Sequence, residues 1–508
     1  MILMLLEELL KIEGFSLIKG DPATVISSVE FDSRKCAAGS IFVAIKGFTS
    51  DGHEYIKAAS MNGASAVLID SSRDQERFSV EKILEQVTHD IAIVETSDTR
   101  TALGTVSQAV YDHPEKKLDI AGITGTKGKT TITFMLRSIM EAADVSTGLV
   151  GTVVNIAGGQ KIKAEHTTPE SSDLYKMMKD MVDAGDKALI MEVSSQGLKL
   201  DRVFGIGYKV ACFTNLYEDH IAPNEHPDME DYFRSKLKIF DSCETGIINS
   251  DTPYKDAAAE YAKGKCDVLF YGTEADADIR ASSIEHYSEG SESGSIFELT
   301  SPWYKGQVKI ALPGRFNVSN ALCAISCAGV MGVPFEAVKK GLETAHVPGR
   351  MQPVPNDMGI SVIVDYAHNA AALENVLSTV REYALKRIIC VFGCGGNRSR
   401  TRRFEMGEVS GRMADLTIIT SDNPRSEDPL AIINDIVTGI DPTGGIYETK
   451  PDRALAIKYA ISIAEPGDVV IIAGKGHEDY QIFADRTIHF DDVEVARAAL
   501  DEVKEERQ

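Results

Sequence analysis

The chain is poor in positive charge. Its 53 Lys and Arg stand against 76 Asp and Glu in 508 residues, a formal net charge of −23. Such a surface does not gather nucleic acid or anionic membrane by charge alone. An anionic ligand must be held locally, by Gly-rich loops, helix N-termini, single Lys or Arg side chains, or a bound metal. Paired cysteine motifs are also missing. The eight cysteines include no C-x-x-C and no zinc-finger spacing, which in a chain this long reads as reduced thiols in a cytoplasmic protein. Cys323 and Cys327 can share a helix face, where buried packing accounts for them. No stretch is long and uncharged enough to span a bilayer. The apolar start, MILMLLEELLKIEGF, lacks a basic n-region and is interrupted by Glu7 and Glu8, so it reads as an amphipathic helix and not as a signal peptide. Fixed-period repeats and low-complexity tracts are absent.

What is present is a β/α pattern too long for one core, so two to four domains are expected. Residues 1–116 read as a small α/β unit with short β-runs (VISSVEFDS, SIFVAIKG, SAVLID, IAIVE), and the polar YDHPEKKLD reads as a linker. From residue 117 to 346, short apolar runs (LDIAGIT, KALIMEVS, VACFTNL, TGIINS) each lead into a turn, the pattern of a parallel sheet. Within that stretch, SIFELTSPWYKGQVKIAL alternates like antiparallel strands and NVSNALCAISCAGVMG reads as a helix. After the Pro-punctuated HVPGRMQPVP, residues 347–508 resume the alternation. Four strands there (ISVIVDYAHN, RIICVFGCGG, LTIITSDNPR, DVVIIAGKGHED) end in polar or Gly-rich loops, where open α/β sheets bind ligands.

The densest signal is GITGTKGKTTITF, residues 122–134. Glycines between a strand and a helix let backbone N–H groups wrap phosphate oxygens, and the helix N-terminus adds partial positive charge. Lys129 can reach terminal phosphates and Thr130 can ligate Mg²⁺. Gly125, Thr126, Lys127, Gly128, Lys129, Thr130 and Thr131 are therefore ATP-binding candidates. The glycine spacing departs from G-x-x-x-x-G-K-[ST]; the form T-G-T-x-G-K-T-T is that of the ATP-dependent Mur ligases and folylpolyglutamate synthetases.

Further motifs follow in order: TTPE, MEVSSQGL, TNLYEDH, YFRSK, LPGRFNVSNALCA, VPGRM, VDYAHN, GCGGNRSRTRR, SDNPRSEDP and GKGHEDYQ. Across essentially the whole chain these resemble the Mur ligases, and among them the branch that adds the third amino acid of the peptidoglycan stem. The resemblance implies three α/β domains: an N-terminal UDP-binding domain, a central P-loop-type parallel-sheet ATPase domain and a C-terminal Rossmann-like domain. It also implies peptide-bond formation through an acyl phosphate, with ATP as co-substrate and two Mg²⁺ ions.

Glu192, ending an apolar strand, suits Mg²⁺ as a hard oxygen ligand; a cap on the following turn is the alternative. The resemblance makes His220 a ligand to the second ion. By composition Lys236 is an ordinary helix lysine; by resemblance it is N6-carboxylated by CO₂ and holds that ion as a carbamate, which first requires a neutral, partly desolvated amine. Ser33, Lys46 and His53 are implied UDP contacts. Thr167 and Thr168 suit the muramoyl-dipeptide or a helix N-cap, and Ser194 and Arg202 match further contacts to the nucleotide-sugar. Asn317 and Asn320 match residues beside adenine, with Arg350, Asp365 and His368 completing the ATP set. For the incoming amino acid, Arg425 after Asp422 and Asn423 resembles the form selecting meso-diaminopimelate, whose distal carboxylate a guanidinium can fork. Arg398, Gly474 and Glu478 complete that set, Glu478 as partner of the distal ammonium. The partners implied are UDP-N-acetylmuramoyl-dipeptide, ATP and meso-diaminopimelate, with a monomeric enzyme. L-lysine as the added amino acid, a folylpolyglutamate-synthetase-like ligase and a P-loop switch ATPase are the competing readings.

Overall fold

The computed structural model describes residues 3–47, 50–222, 225–274, 276–289 and 292–507. The chain forms two compact units, residues 1–279 with 323–338 and residues 280–322 with 339–508.

The first unit carries two sheets. The N-terminal β-runs form a five-stranded sheet in the order Ser16–Lys19, Ala92–Thr96, Ala66–Asp70, Ser40–Val43, Ser28–Glu30, parallel except at the first strand. The second sheet is built on six parallel strands in the order Thr147–Val150, Ala188–Glu192, Asp119–Thr124, Tyr208–Phe213, Cys243–Asn249, Asp267–Gly272. Val154–Ala157 and Gln160–Lys163 add an antiparallel hairpin at one edge. Ala188–Glu192 and Tyr208–Phe213 are almost continuously apolar because both faces are covered, as the parallel reading requires.

The predicted linker at 111–119 is not an open tether. Tyr111, Pro114 and Glu115 are buried, and Pro114–Lys116 is a 3₁₀ turn. One apolar core runs through both halves of the unit, joining Leu103, Val106 and Val110 of the helix Thr99–Val110 to Leu174, Tyr175 and Met178 of Ser171–Ala184. Gln108 Nε2 donates to Tyr175 Oη at 3.0 Å, and Arg100 pairs with Glu170 at 2.6 Å.

The amphipathic first helix is reduced to Leu6–Leu9. Met4 and Leu5 pair with Ile26 and Val25 as a strand, and the N–H groups of Leu6 and Glu7 donate to the carbonyls of Thr24 and Pro22. These backbone partners pull the segment out of the helix its apolar spacing favours. Its first two residues lie outside the described set.

In the second unit, Ile279–Glu289, Glu292–Thr300 and Lys305–Ile310 form the expected antiparallel meander. The C-terminal sheet runs Gln352–Pro353, Ser361–Asp365, Val469–Ala473, Ile388–Phe392, Leu416–Ile419, Tyr447–Thr449, parallel except at the first strand.

Candidate active site

The phosphate loop stands between the strand Asp119–Thr124 and the helix Lys129–Ala142. Gly125 (φ +153°) and Gly128 (φ +90°) adopt backbone conformations that side chains disfavour, and a Cβ on Gly125 would lie 1.9 Å from Thr214 Oγ1. Thr214 and Asn215 brace the loop from the next strand. Thr214 Oγ1 donates to the Lys127 carbonyl at 3.0 Å, and the Lys127 N–H donates to Asn215 Oδ1 at 2.8 Å. No side chain caps the 14-residue helix, so its first turn presents N–H groups to the loop's concave side.

Two lysines converge on one carbonyl of this loop. Lys129 Nζ donates to Gly125 O at 2.7 Å and Lys236 Nζ to the same oxygen at 3.0 Å. Lys236 lies on the helix Met229–Leu237 and is 1 % exposed, above the Tyr232 ring at 4.4 Å. Burial, and then the Lys129 charge, push its ammonium well below the ordinary lysine range. The solvated charge that composition suggests is thus a desolvated amine. Tyr232 Oη meets Thr126 Oγ1 at 3.1 Å, so one helix supports the lysine and steadies the loop.

Glu192 is 1 % exposed and accepts from Thr130 Oγ1 at 2.9 Å, from the Thr152 N–H at 2.9 Å and from Thr152 Oγ1 at 3.0 Å. It does not cap the following turn; Ser194 does, accepting from the Gly197 N–H at 3.0 Å. Thr167 Oγ1 meets Thr152 Oγ1 at 3.0 Å. Thr168 is no N-cap either, since Glu170 holds that position. Its hydroxyl bridges the Glu192 carbonyl (3.0 Å) and the Ser194 N–H (2.9 Å), while Arg202 reaches the Thr168 carbonyl at 3.1 Å and Glu170 at 3.0 Å. The predicted muramoyl-dipeptide residues therefore adjoin the strand end that carries Glu192.

His220 (φ +59°) is half exposed, with Nδ1 2.8 Å from Glu225. Part of its loop, residues 223–224, lies outside the described set. Sequence reasoning missed the chain that anchors this loop. His226 is wholly buried, with Nδ1 2.6 Å from Asp231 and Nε2 2.9 Å from Ser195 Oγ, beside Glu192 in sequence. The signal was a histidine five residues before an aspartate on the next helix.

The N-terminal candidates Lys46 and His53 lie close together, Lys46 forming a β-bridge with Asp51, the partner of His53. Lys46 is exposed, and Ser33 is buried with its carbonyl accepting from Asn62. His53 is committed to the fold: Nε2 accepts from the Asp70 N–H at 3.1 Å, which leaves the proton on Nδ1, 2.6 Å from Asp51.

In the second unit, Asn317 Nδ2 donates to the Pro313 carbonyl (2.8 Å) and Asn320 Nδ2 to Asn317 Oδ1 (3.2 Å). Arg350 stacks over Tyr366 at 4.5 Å. Asp365 accepts from the Met351 N–H at 2.7 Å, and burial raises its carboxyl pKa despite Arg350. His368 Nδ1 sits 2.8 Å from the Tyr366 carbonyl. On the adjoining strand ends, Asn423 Nδ2 donates to Glu478 at 2.8 Å, a Cβ on Gly474 would lie 2.9 Å from Asp422, and Arg425 and Arg398 flank Gly395. Lys475, missed in the sequence, is fully buried and donates to Glu478 at 3.2 Å and Asn423 at 3.4 Å. The carboxylate expected to meet a substrate ammonium already meets an internal one.

A phosphate cradle, a hydroxyl and carboxylate beside it and a buried amine define a nucleotide-dependent enzyme class. Three family models match in succession: "Mur ligase family, catalytic domain" at residues 25–111, "Mur ligase middle domain" at 123–328 and "Mur ligase, glutamate ligase domain" at 349–476. The chain belongs to the Mur ligase family. It is 42 % identical over 498 residues to the UDP-N-acetylmuramoyl-L-alanyl-D-glutamate–2,6-diaminopimelate ligase of Clostridium botulinum, covering 97 % of this chain and 99 % of that protein. It is 42 % identical over 499 residues to the protein of that name in Clostridioides difficile, covering 96 % and 98 %. A solved structure bearing the same enzyme name superposes with a TM-score of 0.71 at 30 % identity, covering 98 % of this chain and 99 % of the other. At the level of fold alone, MurF ligase from Thermotoga maritima in complex with ADP matches with a TM-score of 0.59 at 19 % identity, covering 95 % and 98 %.

Proposed function

We propose that this chain is a cytoplasmic, monomeric, ATP-dependent ligase that joins meso-diaminopimelate to UDP-N-acetylmuramoyl-L-alanyl-D-glutamate in peptidoglycan precursor synthesis. Residues 1–116 bind the UDP end, 117–346 bind ATP and 347–508 deliver the amino acid. The observation that carries the reading is the buried Lys236 amine sharing the Gly125 carbonyl with the phosphate-loop Lys129.

An amide forms from a carboxylate and an amine only after the carboxylate is activated. The γ-phosphoryl group passes to the glutamate carboxylate, the amine attacks the acyl phosphate, and phosphate departs. Such catalysis is largely alignment and charge neutralisation. The loop N–H groups and Lys129 hold the phosphates. Thr167, Thr168 and Arg202 orient the dipeptide beside Glu192, and Arg425 and Arg398 engage the distal carboxylate of the incoming amino acid.

The donor set fits magnesium. Thr130 and Glu192 offer hard oxygens 2.9 Å apart, and Lys236 has the desolvated amine that carbamylation needs. Thr130, Glu192, His220 and carbamylated Lys236 would hold two ions, whose charge would offset that of the phosphate and carboxylate oxygens.

The deciding experiment measures phosphate release by the purified enzyme with UDP-muramoyl-dipeptide and each candidate amino acid. Release must require both substrates and be faster with meso-diaminopimelate. Release without the nucleotide-sugar would return the chain to a switch ATPase, and faster release with L-lysine would change the amino acid assigned.

A further inference from the structure

We propose that Cys212, Cys323 and Cys327 form a closed, all-sulfur site for a soft monovalent cation, copper(I), in the first unit. The three sulfurs lie within 4.8 Å of one another, and Cys212 Sγ is 3.2 Å from Cys327 Sγ. All three side chains are completely buried and all three thiols are free. Cys323 and Cys327 stand four apart on the helix Arg315–Val330 and so share a face. Cys212 comes from the strand Tyr208–Phe213, so the ligands belong to two elements that the fold already holds together.

Thiolate donors select soft cations. Structural zinc closes its shell with four ligands, whereas this cluster offers three among the described residues. Three sulfurs with no water access suit a trigonal copper(I) ion. Each thiol that coordinates as thiolate releases its proton to solvent. None of the three sulfurs takes part in the ligase reading. Cys212 nevertheless precedes by two residues Thr214, whose hydroxyl braces the phosphate loop, so occupancy would fasten that strand to the helix.

The test titrates the reduced full-length chain, without oxygen, with copper(I) supplied as its bicinchoninate complex. One equivalent should be withdrawn from the chelator and survive desalting, and X-ray absorption should show a three-coordinate shell of sulfur alone. Cys327→Ser and Cys323→Ser should lose that retention, while Cys36→Ser, in a separate cluster of the N-terminal sheet, should keep it. The wild-type spectrum decides even where a variant fails to fold. Failure to compete with bicinchoninate, a shell containing nitrogen or oxygen, or a Cys212–Cys327 disulfide in place of bound copper would overturn the proposal.

Discussion

Lys236 shows how little a single residue's sequence context reveals. In YFRSK it sits among helix-forming charges, and only the resemblance marked it. The structure supplies the physical reason: 1 % exposure, an aromatic ring beneath and a second ammonium on the same carbonyl. Replacing it with alanine should lower kcat by about 10²–10³-fold, the scale of losing one preorganised electrostatic group. Short-chain carboxylic acids should restore part of the rate, and ¹³C-bicarbonate should give a carbamate NMR signal in the wild type only. Full turnover by Lys236→Ala without additives would remove the carbamate from the mechanism. Lys129→Ala should abolish ATP use at unchanged circular dichroism, because its ammonium donates to the loop carbonyls of Gly125 and Thr126. Arg425→Ala should cost up to about 10⁴-fold in kcat/KM with meso-diaminopimelate and far less with L-lysine, since only the former carries the distal carboxylate. Equal losses would reduce Arg425 to a structural role, that of donating to the Gly396 carbonyl at 2.7 Å.

Among elements, the strands were legible because burial on both faces leaves unbroken apolar runs and the loops between them carry Gly and Pro. The edges were not. Thr147–Val150, Val154–Ala157 and Tyr447–Thr449 are short, and the parallel partners of the first and last lie far away in sequence, so neither period nor length announces them. The same limit hid Thr152, which reaches Glu192 across 40 positions, and the Ser195–His226–Asp231 anchor. The phosphate loop was plain because its glycines are required locally. Gly125→Ala should therefore be disproportionately harmful. The strained φ and the clash with Thr214 together cost about 1–3 kcal/mol or displace the loop. Equilibrium binding of an ATP analogue should weaken by about tenfold or more, each tenfold step being about 1.4 kcal/mol. Unchanged binding would mean the loop relaxes freely.

At the scale of the folded molecule, two buried groups in the second unit set its response to denaturant and acid. Arg453 and Asp492, both fully buried, pair at 2.7 Å, and Arg453 also reaches the Ala473 carbonyl at 3.0 Å. Arg453→Met strands a carboxylate in the interior and should destabilise the unit by about 3–5 kcal/mol. Adding Asp492→Leu should recover much of that loss in urea melts. His477 has its pKa lowered to about 4 from 6.5, first by burial and then by Arg350. Its folded value is depressed, so the unfolded chain takes up the proton first. Stability is whole above pH 6.5 and falls by up to about 3 kcal/mol as pH drops through 4. His477→Gln should flatten that part of the profile, and an unchanged acid midpoint would show the ring is not the group that titrates.

The apolar seam joining the helices Thr99–Val110 and Ser171–Ala184 bears on how the protein can be handled. A gene fragment starting at residue 117 would leave Tyr175 and Met178 without the cover of Leu103, Val106 and Val110. Such a piece would clump on expression, and inhibitor screens run on it would report on sticky surface in place of nucleotide chemistry.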